Sequence, residues 1–185
     1  RWVEETGRSE TLGLAHAFAE GGQQRQDSVS AGLRALPADC DHVLIHDAAR
    51  PFLGPDLVQR VIDGLERGYP GVVPGVPVTD TVKRVRDDVV DSTPPREELF
   101  AIQTPQAFRR KALESAHERA RARGWTGTDD ASLLELSGER VTLVRGEEKN
   151  RKITTVEDLA DMDKEQTGQS RICTGWGYDV HRYGA

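Results

Sequence analysis

The chain has 185 residues, a formal charge of −6 and two cysteines. That length accommodates one ordinary core, or one domain with a piece of another, and excludes a pair of large domains. The acidic balance excludes a general nucleic-acid or anionic-membrane binder, so any phosphate recognition must be local.

The opening "RWVEETGRSE" lacks the basic and apolar regions of a signal peptide, and no run of about 18 apolar residues follows. Met162 is the sole methionine, so Arg1 reads as an unnatural beginning and both ends read as cuts. Short β-branched runs then alternate with helically periodic segments, the pattern of an α/β domain with a largely parallel sheet. In "EGGQQRQDSVSAGLRAL", Val29, Leu33 and Leu36 share a face behind Gly21-Gly22, which predicts a helix from about Gln26 or Asp27. Cys40 follows, and with Cys173 it forms no CxxC pair; two scattered thiols read as reduced residues of a cytoplasmic protein. "DHVLIHDAARPFL" holds the apolar run Val43, Leu44, Ile45, fit for a buried strand that ends at His46-Asp47.

"GPDLVQRVIDGLERG" predicts a crossover helix, with Pro55 near its first position and Gly68 as its stop. "GVVPGVPV" reads as a strand. Two alternating stretches around an acidic, proline-bearing turn then suggest an extended β-arm over about Asp80 to Thr104. "RKALESAHERARARG" predicts a helix ended by Gly124, "TDDASLLELSG" a shorter capped helix, and "RVTLVRG" a strand. "KITTVEDLADMDKE" reads as a short strand running into a helix, with Thr155 and Asp158 at capping-box spacing. From about Gln166 the pattern lapses into "QTGQSR", a polar linker, and "ICTGWGYDVHRYGA" has strand character without enough residues to bury a core. These boundaries divide the chain into 1–165, a linker at 166–171, and an incomplete second unit at 172–185.

Ligands of open α/β sheets bind beyond the carboxyl ends of the strands, which singles out Asp47 and Arg50. An ionised Asp there suits Mg²⁺, and an Arg three residues on can address a phosphate with its fork; a turn satisfied by Asp47 and paired with Arg50 explains the same spacing. Gly21-Gly22 with Arg25 and Ser28 can bring N–H groups and a hydroxyl to a nucleotide, or simply form a turn and a helix cap. Thr128 in "GTDDAS" is a candidate for substrate contact or for an N-cap. Spacing alone does not select Lys152 or Arg96 over ordinary solvated cations.

The blocks "GGQQRQDSVSAGL", "VLIHDAARPF", "VPVTDTVKRV", "LFAIQTPQAF", "TDDASLLE" and "RKITTVEDL" stand in order between Gly21 and Leu159. Together they resemble the 2-C-methyl-D-erythritol 4-phosphate cytidylyltransferases of isoprenoid biosynthesis. The resemblance implies a Rossmann-like nucleotidyltransferase sheet, mostly parallel, with a protruding β-arm. It implies that Gly22, Gln23 and Ser28 hold the cytidine nucleotide, that Asp47 and Ala48 lie beside its phosphates and Mg²⁺, and that Arg50 shares that neighbourhood. It further implies that Arg96 and Lys152 position methylerythritol phosphate for attack on CTP, with Thr81 and Thr128 nearby. A homodimer formed through the arm would bring Thr81 and Arg96 to the partner's site. A higher oligomer would be compatible with an intact fusion.

The family's first strand and glycine-rich loop, with an Arg and a Lys that embrace the triphosphate, have no counterpart before Gly21. The chain as it stands is therefore expected to bind CTP poorly and to turn over little. The tail "ICTGWGYDVHRYG" resembles the opening strand of the 2-C-methyl-D-erythritol 2,4-cyclodiphosphate synthases, which implies that Asp179 and His181 are ligands of a divalent metal, usually Zn²⁺. A fusion of the two activities is the leading expectation. The alternatives are a ribitol-phosphate cytidylyltransferase and a non-catalytic nucleotide-binding or dimerisation module.

Overall fold

A computed structural model describes residues 19–158. The expected linker at 166–171, the second unit at 172–185, and Cys173, Asp179 and His181 lie outside the described residues.

Local chemistry explains the helices. Helix α1 spans Arg25–Ala35, one residue earlier than the apolar periodicity suggests, because the Gln24 N–H is taken by the Asp27 carboxylate at 3.1 Å. Helix α2, Pro55–Glu66, opens on Pro55, whose missing N–H costs nothing in a first turn. It buries Leu57, Val61, Gly64 and Leu65, one stripe at helical spacing. Helix α3, Arg110–Arg123, ends where Gly124 adopts φ of 66°, a left-handed cap that glycine takes without strain. Helix α4, Asp130–Leu136, is capped by Asp129, which accepts from the Ser132 N–H at 2.9 Å.

The central sheet contains β1 (His42–Ile45), β2 (Gly71–Pro77), β5 (Phe100–Ile102), β6 (Gln106–Arg109) and β7 (Val141–Arg145), in the order β1-β6-β2-β5 with β7 on β2. β1, β2 and β7 run in one direction, and β2 pairs with β7 in parallel over five residues, Gly71 to Gly75. The α/β architecture is as expected, but the sheet is mixed rather than mostly parallel: among the described ladders β2–β7 alone is parallel and the others are antiparallel. The reason is the arm. The chain leaves β2, forms an outlying hairpin, and returns as β5 and β6 down the flank of β2, inserting an antiparallel strand between β2 and β1.

That return is interrupted at Gln103-Thr104-Pro105, where the Thr104–Pro105 peptide is cis. The Gln103 N–H still donates to the Pro74 carbonyl at 2.8 Å, so the break deflects the strand without detaching it. Successive residues point to opposite faces. Val73 and Phe108 join α1, α3 and α4 in one buried cluster; Val72 and Ala107 face Val61 and Leu65 of α2 in the other. Gly64 permits that second contact, since a Cβ there would lie 2.8 Å from both Val72 methyl groups.

The hairpin itself is β3 (Arg84–Arg86) with β4 (Val89–Ser92), turned by Asp87 and Asp88 at φ of 47° and 62°. It is wholly exposed, Val85, Val89 and Val90 included. "KITT" forms no strand. The N–H groups of Thr154 and Thr155 both donate to the Asp158 carboxylate, at 2.8 and 2.9 Å, which commits this stretch to a helix cap rather than a ladder. The capping box is present, with the Asp158 N–H returning to Thr155 Oγ1 at 3.1 Å.

Candidate functional site

The carboxyl ends of β1 and β7, together with the break between β5 and β6, enclose a cleft of about 280 Å³. Asp47 enters it from the loop after β1, and Lys152 from the segment after β7. Lys152 Nζ stands 3.1 Å from Asp47 Oδ2. Arg50 reaches the same carboxylate only at 3.9 Å, because its fork is spent elsewhere: Nη1 donates to the Asn150 carbonyl at 2.8 Å and Nη2 to the Ile102 carbonyl at 3.4 Å. Burial pulls the Arg50 guanidinium below its ordinary value, opposed by the charge of Asp47. It remains a cation, as guanidinium groups in proteins do.

A second layer fixes the Lys152 segment. Asn150 is fully buried and donates to the Thr104 carbonyl at 2.8 Å. Gln103 brackets Glu147, donating to its carbonyl at 2.8 Å and accepting its N–H at 3.1 Å. The Ile153 N–H donates to the Ala49 carbonyl at 2.8 Å. The Glu147 carboxylate binds Arg60 of α2 at 2.7 Å, which holds it below the usual carboxylate range; Lys149 assists and burial opposes. Loop and sheet end are therefore joined at several points, so Lys152 has a short tether to a rigid base.

The opposite wall comes from the starts of α1 and α4. Arg25 Nη2 pairs with Asp130 Oδ2 at 2.7 Å, and Asp130, with no exposed surface, also takes His117 Nε2 at 3.2 Å. Asp129 caps α4 and accepts from Gln106 Nε2 at 2.7 Å, which leaves Thr128 exposed at the rim.

The structure thus brings Asp47, Arg50, Thr128 and Lys152 to one cleft. Ala48 lies exposed beside it on the Asp47 loop. Gly22, Gln23 and Ser28 form the entry to α1, where the Gly22 N–H donates to Ser28 Oγ at 3.0 Å and Gln23 is exposed. Glycine is required at 22, since a Cβ would fall 2.2 Å from the Asp27 Cβ. Thr81 and Arg96 are not brought in. Both sit on the arm, and Arg96 Nη1 donates to the Thr79 carbonyl at 2.8 Å.

Sequence reasoning singled out Arg25 but missed its partners Asp130 and His117, and it missed Thr104, Gln103, Gln106 and Asn150. Their importance arises from the strand break and from burial, and neither has a residue-spacing signature. Among the described residues no three His, Cys, Asp or Glu side chains gather as a metal cluster, and no helix is long and apolar enough to cross a membrane. A single strand-end carboxylate still fits Mg²⁺, which is commonly held by one or two carboxylates together with substrate phosphates and water.

Residues 4–164 match the family model described as IspD, 2-C-methyl-D-erythritol 4-phosphate cytidylyltransferase. The chain is 57% identical over 173 residues to the bifunctional enzyme IspD/IspF of Nitratidesulfovibrio vulgaris, covering 94% of this chain and 44% of that protein. It is 46% identical over 171 residues to the 2-C-methyl-D-erythritol 4-phosphate cytidylyltransferase of Thermosynechococcus vestitus, covering 85% of this chain and 73% of that one. The solved 4-diphosphocytidyl-2C-methyl-D-erythritol synthase of Anaerococcus prevotii superposes with a TM-score of 0.80 at 35% identity, covering 89% of this chain and 75% of that one. The chain belongs to the IspD cytidylyltransferase family, and it spans less than half the length of the bifunctional relatives it matches.

Proposed function

We propose that this member of the IspD family transfers CMP from CTP to the phosphate of 2-C-methyl-D-erythritol 4-phosphate. The observation that carries the reading is the convergence of Asp47, Arg50, Thr128 and Lys152 on one cleft at the carboxyl ends of the strands. A phosphate oxygen of the acceptor attacks the α-phosphorus of CTP in line, a new P–O bond forms, the α–β bridging P–O bond breaks, and pyrophosphate leaves. Two polyanions must be brought together, so the demand on the protein is positive charge and positioning rather than a strong base. Lys152 and Arg25 supply partly exposed donors toward the cleft; Arg50 shapes the Asp47 loop and adds its field; Thr128 offers a hydroxyl at the rim. Gly22, Gln23, Ser28 and Ala48 present the nucleotide-binding backbone. Asp47 would hold Mg²⁺, which when bound screens phosphate charge and acts as a Lewis acid toward the phosphoryl oxygens.

The same reading makes the hairpin a dimer arm. Its exposed valines have no covering among the described residues of the chain, and Arg96 and Thr81 lie off the cleft of their own subunit, where they would serve the partner's acceptor phosphate. A second activity, formation of 2-C-methyl-D-erythritol 2,4-cyclodiphosphate, rests on the name of the bifunctional relatives and on the tail "GWGYDVHRYG", with Asp179 and His181 as Zn²⁺ ligands. The reaction belongs to the cytoplasm in this reading, in keeping with two scattered cysteines that form no CxxC pair.

The deciding experiment incubates the full-length protein with CTP and Mg²⁺ and either methylerythritol phosphate or ribitol phosphate, and follows pyrophosphate by ³¹P NMR. Release with methylerythritol phosphate is expected. Release with ribitol phosphate alone would assign the other cytidylyltransferase, and CTP binding without release would leave a nucleotide-binding module.

A further inference from the structure

His46 follows the last residue of β1, is exposed, and does not line the cleft, yet both of its ring nitrogens are engaged by the protein. Nε2 lies 3.0 Å from the Arg50 carbonyl. A carbonyl only accepts, so Nε2 carries the hydrogen, and in the neutral ring Nδ1 is then an acceptor. Nδ1 lies 3.0 Å from Thr104 Oγ1, which must therefore donate its hydroxyl hydrogen to the ring. The lone pairs of that oxygen are left to receive the Asp47 N–H at 2.9 Å. One tautomer fixes every direction in the relay.

The relay closes on itself. It starts at the backbone of Asp47, crosses to the strand break through Thr104, returns through His46, and ends on the backbone of Arg50, while the Arg50 N–H donates to the Asp47 carbonyl at 3.0 Å inside the turn. His46 is thus a strap across the turn whose two ends carry Asp47 and Arg50, and it ties that turn to the break from which Thr104 projects. With both nitrogens occupied, the ring is unavailable as a proton acceptor for a substrate hydroxyl or phosphate.

We infer that His46 is a positioning residue for phosphoryl transfer, acting through Thr104 to hold the Asp47 loop in register with Lys152. The inference rests on the function proposed above. Misplacing a charged group by a fraction of an ångström in such a reaction lowers the rate of the chemical step more than it lowers substrate affinity.

The test compares His46→Leu, His46→Asn and His46→Gln in the full-length protein. The Asn carbonyl takes the place of Nδ1 as acceptor for Thr104, and the Gln amide nitrogen takes the place of Nε2 as donor to Arg50. His46→Leu is expected to lower kcat about tenfold, with KM for CTP changed less than about twofold. His46→Asn is expected to recover most of that loss and His46→Gln little of it. An unchanged kcat in the Leu variant, or Asn no better than Leu or Gln, overturns the inference. Nitrogen NMR of the neutral wild-type imidazole gives a readout independent of turnover. The expected result is hydrogen on Nε2 with Nδ1 as acceptor; hydrogen on Nδ1 removes the relay. A wild type that transfers no CMP would sink the proposed function, and the tautomer would still decide the relay.

Discussion

Replacing Asp130 with Ala should destabilise the domain more than any other single change at the cleft wall. The side chain has no exposed surface and joins three helices: α4, on which it sits, α1 through Arg25 at 2.7 Å, and α3 through His117 at 3.2 Å. Removing one member of a buried ion pair costs about 3–5 kcal/mol, because the partner is left buried and uncompensated. Here the larger charge can escape. The Arg25 side chain keeps 32% of its surface in water and can turn outward, whereas His117, 7% exposed, cannot. The expected loss is therefore near the lower bound, about 3 kcal/mol. For a chain of this size that lowers Tm by roughly 6–12 °C. Urea unfolding followed by circular dichroism, with Asp130→Ala, His117→Ala and the double variant, measures both the loss and the coupling. The double variant should lose less than the two singles together by about 1–2 kcal/mol. Full additivity, or a Tm shift under about 2 °C for Asp130→Ala, would refute the account of Asp130 as the buried anchor.

Lys152→Met removes the only lysine lining the cleft among the described residues and should lower kcat at least about a hundredfold in the CMP-transfer assay with little change in Tm, because the side chain is one-third exposed. Gly22→Ala places a Cβ 2.2 Å from that of Asp27, so the entry to α1 must move; a cost of about 1–3 kcal/mol and a raised KM for CTP are expected from melting and kinetics. Glu147 has its carboxyl held below its ordinary value of 4.5, first by Arg60, so its contribution to stability is present above that value and is lost as pH falls through the lowered folded value. Glu147→Gln should accordingly flatten the acid limb of a Tm-against-pH profile, and an unchanged limb would show that the Arg60 contact contributes nothing.

The helices were readable because their signals are local. Pro55 and Gly68 bound α2, Gly124 ends α3, and an Asp at the N-cap starts α4, and each of these acts within one turn of itself. The strand directions were less so. Nothing in "LFAIQTPQAF" distinguishes a continued arm from a strand that re-enters the sheet between β1 and β2, since that outcome depends on which edge is vacant at the return. "KITT" misled for a related reason: its β-branched residues favour a strand, but a carboxylate four residues ahead of Thr154 binds their N–H groups first. At the site, family blocks pointed to Asp47 and Lys152, while Asn150, Thr104 and Asp130 gain their roles from burial and from partners up to about a hundred residues away.

The contrast between Lys152 and Arg50 bears on how an acidic protein handles two polyanions. Both cations face Asp47, but their situations differ. The Lys152 pair is open to water, with 36% and 22% of the two side chains exposed, so it is worth no more than about 1 kcal/mol and breaks readily. In the function proposed above, a metal cation would replace lysine on Asp47 and a phosphate would replace the carboxylate on lysine, so a metal–phosphate ligand would exchange partners at small cost. Arg50 has no such freedom. Its fork holds the part-buried Asn150 carbonyl at 2.8 Å and the exposed Ile102 carbonyl at 3.4 Å, and turning it toward substrate would leave the Asn150 acceptor unpaired, at about 1–3 kcal/mol. In the function proposed above, its contribution would be a fixed positive field and a fixed loop, while the contacts made and released in each cycle would fall to Lys152 and to the remaining donors of Arg25.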